Sequence, residues 1–322
     1  MLTVLLGTRN RGRILRDVLE GFCRLMEPSG GWKVIVVDNG STDDTPQVLA
    51  EFQGRLPLQP LSVPQPGKNK ALNAALPLVA GDLVVFTDDD VFPRTDWLIR
   101  LREAADTQPE YSIFGGVVIS RWQVEPPRWA LWSELGAAYT VSSPLAKEGP
   151  VAPELWSGTI VGANMAIRAR IFESGARFDP AVGPNGGSYA MGSETEILLR
   201  LAWQGHKAYH LQGAVIEHLI RKEQLDQAWV LQRAVRFGRG LLRQSPDVKL
   251  WFGMPRHLFR DIPKQAVVVA ATWLSMREEA LFQARWFFNI YWGKAIEAIK
   301  IAKERHERSH TGPAIPLSSA DR

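Results

Sequence analysis

The sequence predicts an α/β fold, a mostly parallel Rossmann-like sheet with helices on both faces, followed by a mainly helical C-terminal region. Three observations predict it. The first third of the 322 residues alternates short apolar runs with helical patterns. Those runs are almost wholly apolar, as parallel strands covered on both faces must be. Beyond His218 the pattern is helical throughout.

Taken in order, Leu2 to Leu6 is a buried strand, without the basic leader or small-residue cleavage site of a signal peptide. Ile14, Leu15, Val18, Leu19, Phe22 and Leu25 then recur at helical spacing. Val34 to Val37 is a second strand, closed by Asp38, and Ser41 or Thr42 caps a helix through Val48, Leu49 and Phe52. Pro64, Pro66 and Gly67 break the chain before a short helix with Leu72, Ala75 and Leu76. Leu83 to Phe86 is the next strand, and a helix follows near Arg94 to Ala105. The stretch from Trp122 to Ser157 is rich in Trp and Pro and has no clear period, which suits a functional loop or lid. Its aromatics suit either packing or a sugar face. A second patterned block runs from Gly162 to His218. The domain expectation is therefore 1–220 for the α/β part and 221–310 for a basic helical part, with a disordered tail over 311–322.

Composition narrows the class. A content of 45% hydrophobic and 22% charged residues suits a globular protein. The single cysteine, Cys23, excludes a disulfide framework within the chain and suits the cytoplasm. The net charge of +4 is unevenly spread: residues 1–218 carry 20 Lys and Arg against 24 Asp and Glu, and residues 219–322 carry 18 against 10. No nucleic-acid motif accompanies the basic half, and an anionic membrane surface or anionic substrate is at least as good a reading of its charge.

The chemistry concentrates after the strand at Leu83. Asp88, Asp89 and Asp90 follow it directly. Adjacent carboxylates repel by roughly 4 kcal/mol per close pair at intermediate dielectric. A divalent cation such as Mn²⁺ or Mg²⁺ removes that cost and favours carboxylate oxygens together with phosphates. The competing reading is a solvated acidic turn with Asp89 capping the next helix. Asp38, at the end of the second strand, is placed to accept hydrogen bonds from a base or ribose. Asp43 and Asp44 read as favourable charge at a helix N-terminus.

Several ordered motifs carry a resemblance to a known family. They are Thr8-Arg9-Asn10-Arg11, Val37-Asp38-Asn39-Gly40-Ser41-Thr42-Asp43 and Gly67-Lys68-Asn69-Lys70-Ala71-Leu72-Asn73. Thr87-Asp88-Asp89-Asp90, Gly162-Ala163-Asn164-Met165-Ala166-Ile167-Arg168 and Gly192-Ser193-Glu194-Thr195-Glu196 follow. In this order the chain resembles the family 2 glycosyltransferases, over residues 2 to 220. The resemblance implies the GT-A fold and an inverting, metal-dependent transfer from a nucleotide-diphosphate donor, a UDP-sugar, to a hydroxyl of a glycan or lipid-linked glycan. It implies that Thr8, Arg9 and Asp38 hold the nucleotide, with Asp88 and Asp89 beside it. Lys70 matches a position commonly basic or polar near the nucleotide, where an exposed lysine is an equal reading. Asp88 and Asp90 match the outer members of the DxD motif that ligate Mn²⁺ or Mg²⁺, and His218 matches a metal ligand. Glu194 stands where the family carries its catalytic Asp, and Ser193 replaces the preceding Glu. Glu194 is thus the expected base, and Glu196 either shares the site or heads a helix. His206 and His210 match nothing and read as surface or packing residues.

Three rivals stand against this reading. A polyprenyl-phosphate sugar synthase would need no general base. A sugar nucleotidyltransferase is disfavoured because Leu5 replaces the first glycine of its loop. A noncatalytic carbohydrate- or membrane-binding protein would not need the acidic set.

In the basic region, Val230, Ala234, Phe237 and Leu241 share one helical face, and Arg233, Arg236, Arg239 and Arg243 form a stripe on another. That pattern suits either a membrane surface or a core-packed helix with a solvated basic face. Gln265 to Met276 is strongly apolar but far short of the ~20 residues that span a bilayer. The expectation is peripheral contact with an anionic membrane, on the inner face of the plasma membrane, and no binding of nucleic acid.

Overall fold

The computed structural model describes residues 1–142, 145, 147–185, 187–245 and 250–310. The apolar runs form β1 (Leu2–Thr8), β2 (Trp32–Asp38) and β4 (Leu83–Phe86), with an unforeseen edge strand β3 (Leu58–Ser62). Helices α1 (Gly12–Phe22), α2 (Thr45–Phe52) and α3 (Lys68–Ala75) connect them. After β4 come β5 (Val91–Pro93), α4 (Trp97–Thr107), β6 (Ile113–Trp122) and the four-residue helix α5 (Gly136–Tyr139). Then follow β7 (Gly149–Val151), the kinked turn α6 (Trp156–Thr159), β8 (Met165–Arg168), α7 (Ala169–Glu173), α8 (Ser193–Trp203) and β9 (Ala208–Ile220).

The main sheet runs in the order β3-β2-β1-β4-β8-β6-β9-β5, and β7 also pairs with β9. β1 to β4 are mutually parallel, and so are β6 and β9. β8 runs antiparallel between β4 and β6, and β5 and β7 run antiparallel to β9. The sheet is thus mixed but mostly parallel, as expected. Successive strand residues face opposite sides. Val4, Leu6, Val34, Val36 and Val85 join α1, α2 and α4 in one core, while Leu5, Ile35, Val37 and Val84 join α3 and α8 in the other.

Three local expectations are corrected. Ser41 and Thr42 do not cap α2, which begins at Thr45; they bind Asn10, and Asp43 accepts from the Thr45 amide at 3.1 Å. Asp89 does not cap α4, because β5 intervenes and the helix begins at Trp97. Within the Trp-rich segment the described residues include short helical turns and the strand β7, so they do not form one irregular loop. Trp156 is buried with Nε1 donating to the Val151 carbonyl at 2.9 Å, and Trp122 packs edge-on against Tyr139 at 5.4 Å. β7 extends the sheet there.

The chain divides into two compact units, Met1–Arg233 and a second from Ala234 onward, with α9 (Gln227–Arg243) running through the division. The second unit holds the hairpin β10 (Leu250–Trp251) and β11 (Met254–Pro255), α10 (Leu258–Leu274) and α11 (Glu278–His310). The tail expected over 311–322 lies outside the described residues.

The arginine stripe of α9 is engaged internally. Arg239, nearly buried, donates to Glu297 at 2.6 Å, Arg243 also pairs with Glu297, and Arg233 reaches the Tyr189 hydroxyl at 3.3 Å. Of the two readings offered by the pattern, the packed helix holds for these residues. α9 and α11 approach closely at two glycines. A β-carbon on Gly238 would stand 2.0 Å from the Ile290 carbonyl oxygen, and one on Gly293 would stand 2.1 Å from that of Val235. Both clashes are with backbone, which cannot yield as a side chain can. Gly238→Ala should therefore destabilise this unit by roughly 1–3 kcal/mol, read as a shifted urea unfolding midpoint at unchanged slope.

Candidate functional site

The site lies at the carboxyl ends of the parallel strands, the ligand-binding edge of open α/β sheets. Thr8 ends β1, Asp38 ends β2, and the two are directly paired across the ladder. Asp38 accepts a hydrogen bond from the Ser41 amide at 2.9 Å, which fixes one oxygen of its carboxylate. Asn39 ties the following loop down by donating to the carbonyls of Val63 and Gln65, while accepting from the Gly67 amide at 2.8 Å. That last bond sets the start of α3 next to the strand ends.

β4 delivers the three aspartates. The Thr87 hydroxyl donates to the Ala163 carbonyl at 2.8 Å, anchoring the turn to the Gly162-Ala163-Asn164 segment. Asn164 is itself a buried pin. It accepts from Trp97 Nε1 at 2.8 Å and donates to the carbonyls of Val117 and Ala214. β5 then pairs antiparallel with β9 so that Val91 faces His218, and the Leu219 amide donates to the Asp90 carbonyl at 2.8 Å. This pairing carries His218 Nε2 to 3.2 Å from Asp90 Oδ1.

One ligand atom each from Asp88, Asp90 and His218 lies within 4.8 Å of the others. Two carboxylates and an imidazole form an oxygen-and-nitrogen donor set that suits Mn²⁺ and, through its oxygens, Mg²⁺. The residues present therefore fit a divalent cation. The three carboxylates divide their work. Asp90 Oδ2 receives Arg11 Nη1 at 2.8 Å and Arg221 Nη1 at 3.2 Å, leaving Oδ1 on the His218 side. Asp89 Oδ1 takes the same Arg11 nitrogen at 2.5 Å, and Asp88 pairs with Lys68.

Titration follows from these neighbours. Burial alone would raise the Asp90 carboxyl, but His218, Arg11 and Arg221 outweigh it and hold the group far below the usual carboxylate range. Burial raises Asp89, and the pull of Arg11 only partly opposes it. Burial works against the charge on Lys68, yet Asp88, with Glu194 behind it, raises that ammonium above its ordinary value.

Glu194 comes within electrostatic reach of Lys68. It stands in the first turn of α8, and a β-carbon on Gly162 would lie 3.2 Å from the Glu194 Cβ, so the missing side chain at Gly162 makes its room. Among the described residues its carboxylate has no hydrogen bond or ion pair. Glu196 differs: it pairs with Arg200 one turn later, at 2.5 and 3.0 Å, which is the helix-heading role. The segment before α8 is tied back to α3, since Asn69 donates to the carbonyls of Asp179 and Val182.

The expected residues thus fall as follows. Asp88, Asp89, Asp90 and His218 converge, Glu194 stands nearby, and Thr8 and Asp38 sit side by side at the adjoining strand ends. Arg9 is exposed, and so is Lys70, whose aliphatic stem lies against Gly67. Three cations at the site were missed: Arg11, Lys68 and Arg221. Arg11 and Lys68 belong to motifs already singled out, but nothing in the spacing shows which basic residue turns inward. Of the two unmatched histidines, His210 is fully buried and packed, and burial lowers its basicity.

Comparison with known proteins adds a family profile described as "Glycosyl transferase family 2", which matches residues 3–175, more than half of the chain. Among curated relatives, a beta-monoglucosyldiacylglycerol synthase of Nostoc sp. is 29% identical over 104 residues, 31% of this chain and 22% of the relative. The succinoglycan biosynthesis protein ExoM of Rhizobium meliloti is 24% identical over 212 residues, 64% of this chain and 63% of the relative. The chain therefore spans less than two thirds of the length of either. Among solved structures, the mannosyltransferase PcManGT of Pyrobaculum calidifontis, in complex with GDP-Man and Mn²⁺, is similar with a TM-score of 0.62 at 19% identity. That match covers 92% of this chain and 86% of the other. TarS of S. aureus with UDP-GlcNAc gives 0.54 at 14% identity, over 96% and 92% of the two chains. At these identities the structural likeness establishes the fold.

Proposed function

The chain belongs to glycosyltransferase family 2, and from that membership we propose that it transfers a sugar, with inversion, from a nucleotide-diphosphate donor to a hydroxyl acceptor. The observation that carries the proposal is the convergence of Asp88, Asp90 and His218 near Glu194, whose carboxylate has no hydrogen bond or ion pair among the described residues. That structurally similar proteins are described with GDP-Man and Mn²⁺ and with UDP-GlcNAc supports a nucleotide-sugar donor, and we take a UDP-sugar as the donor of this chain. The acceptor is a glycan or lipid-linked glycan at the cytoplasmic face, reached by peripheral contact with an anionic membrane. Among the described residues no helix is long and apolar enough to cross one.

Each side chain has a defined task. Asp38 accepts hydrogen bonds from the base or ribose, and Thr8 and Arg9 border the same strand ends. Asp88, Asp90 and His218 hold Mn²⁺ or Mg²⁺, whose positive charge, when bound, offsets the negative charge of the departing diphosphate. Arg11 and Arg221 hold Asp90 in its ionised, oriented form. Lys68 pairs with Asp88 and lies within electrostatic reach of Glu194. Glu194 takes the proton of the attacking hydroxyl, which meets the anomeric carbon on the face opposite the leaving group. Asp89 is fixed by Arg11 and shapes the turn beside the nucleotide.

The direct experiment is a screen of nucleotide sugars for Mn²⁺-dependent binding and hydrolysis. At least one donor is expected to bind tightly only with the cation. No binding to any donor with or without Mn²⁺ would overturn the reading. A paired substitution tests the missed lysine: Lys68→Met should weaken donor affinity about tenfold, the weight of one charge-assisted contact, and Lys70→Met should leave it nearly unchanged. Equal effects would remove Lys68 from the site.

A further inference from the structure

Helix α10 is amphipathic in the wrong sense for water. The face packed within its own unit carries Leu258, Ile262, Gln265, Val269 and Thr272, all buried or half-buried and including two polar residues. The opposite face is apolar and open: Val267, Ala270, Ala271 and Leu274, at the i, i+3, i+4, i+7 spacing of one helical stripe, are all exposed. Val267 is 69% exposed, Leu274 73% and the neighbouring Trp273 63%. A surface helix of a water-soluble protein places its polar residues outward, so this face is built for another medium.

The chemistry of that medium can be read from the ends of the stripe. From Gln265 to Met276 there is no charged residue, a length of about 18 Å at the helical rise, too short to cross a bilayer. Continuing the same face one and two turns back reaches Lys264 and Arg260, and Arg277 follows just past the end of the helix, all exposed. Asp261 pairs with Arg260 and stands one helical turn from Lys264, and Glu278 and Glu279 follow Arg277, so the cations outnumber the acids only at the Arg260–Lys264 end of the stripe. An apolar strip bounded by cations, with a Trp near one end, matches the layering of an anionic bilayer surface, where acyl chains lie beneath phosphates. A second protein copy would need acids opposite the cations, and the stripe itself offers none.

We propose that α10 lies in the headgroup region of an anionic bilayer, with Val267, Ala270, Ala271 and Leu274 toward the acyl chains and Lys264 and Arg277 at the phosphates. This gives the peripheral membrane contact proposed above its surface, and it rests on that reading. It also moves the contact away from α9, whose arginines are engaged elsewhere.

The test is co-sedimentation of the full chain with vesicles of phosphatidylcholine containing phosphatidylglycerol, against pure phosphatidylcholine, at low salt. The chain should pellet with the anionic vesicles. Val267→Glu combined with Leu274→Glu should lower that partition by about tenfold or more, and Lys264→Glu with Arg277→Glu should erase the anionic preference. Pelleting that ignores Val267→Glu/Leu274→Glu would overturn the proposal. So would a wild-type dimer, seen by sedimentation velocity, that those substitutions turn into a monomer while vesicles bind neither form. Mn²⁺-dependent donor hydrolysis, measured without vesicles, should be unchanged in both double variants. Its loss from the wild-type chain while vesicle binding persists would count against the transferase reading alone.

Discussion

Asp90→Asn is expected to abolish Mn²⁺ binding at this site and to lower sugar transfer by about a thousandfold or more, the scale on which a lost metal centre removes charge stabilisation. The substitution keeps the shape of the side chain and deletes its charge. Three groups then lose their common partner: His218 at 3.2 Å, Arg11 at 2.8 Å and Arg221 at 3.2 Å. The comparison is Asp89→Asn. Asp89 touches Arg11 but lies outside the Asp88–Asp90–His218 set, so its variant should retain cation binding with a smaller loss of activity. Calorimetric titration with Mn²⁺ in the presence of a nucleoside diphosphate separates the two. If Asp89→Asn lost the cation and Asp90→Asn kept it, the assignment of ligands would be reversed.

The second large effect is on the acceptor side. Glu194→Gln should lower kcat by roughly 10²–10⁴ while the affinity for the donor stays the same, because a general base acts on the acceptor proton and not on the bound nucleotide. Glu196→Gln should be much milder, since that carboxylate is held by Arg200. Single-turnover transfer and equilibrium donor binding together read the difference. Full activity in Glu194→Gln would favour an acceptor that is already ionised, as a polyprenyl phosphate is, and would replace the hydroxyl-acceptor reading.

What was legible beforehand has a physical pattern. β1, β2 and β4 are buried on both faces, and burial on both faces writes itself into sequence as an unbroken apolar run. Asp88 to Asp90 stood out because three adjacent charges after such a run need an explanation. Strands without that signature were hidden: β3 is an edge strand containing Pro60, β5 has three residues, and β6 carries Gly115 and Gly116 near its start. The cations of the site were hidden for another reason. Lys68 and Lys70 are two positions apart on one helix, hence about 200° apart around it, so only the orientation of α3 decides which lysine meets Asp88. That orientation is set by Asn39 and Asn69 through bonds to distant backbone, which no local pattern records. α10 shows the converse. Its apolar run was read correctly, but a run does not say whether its apolar side is covered.

The β5–β9 pairing has a consequence for how the molecule is made. Arg221 and Asp90 are 131 residues apart, and the three-residue pairing of the terminal strand β5 with β9 brings them together. Contacts of such long sequence separation form late, after the loops between them have been closed. During synthesis the acidic cluster emerges after Arg11 and Lys68 but long before His218 and Arg221, so Asp90 stays only partly balanced until β9 arrives. A ribosome-bound chain ending before His218 should show no protection of the Asp88–Asp90 turn in hydrogen exchange. Completing β9 should protect that turn and the strand edge in one cooperative step.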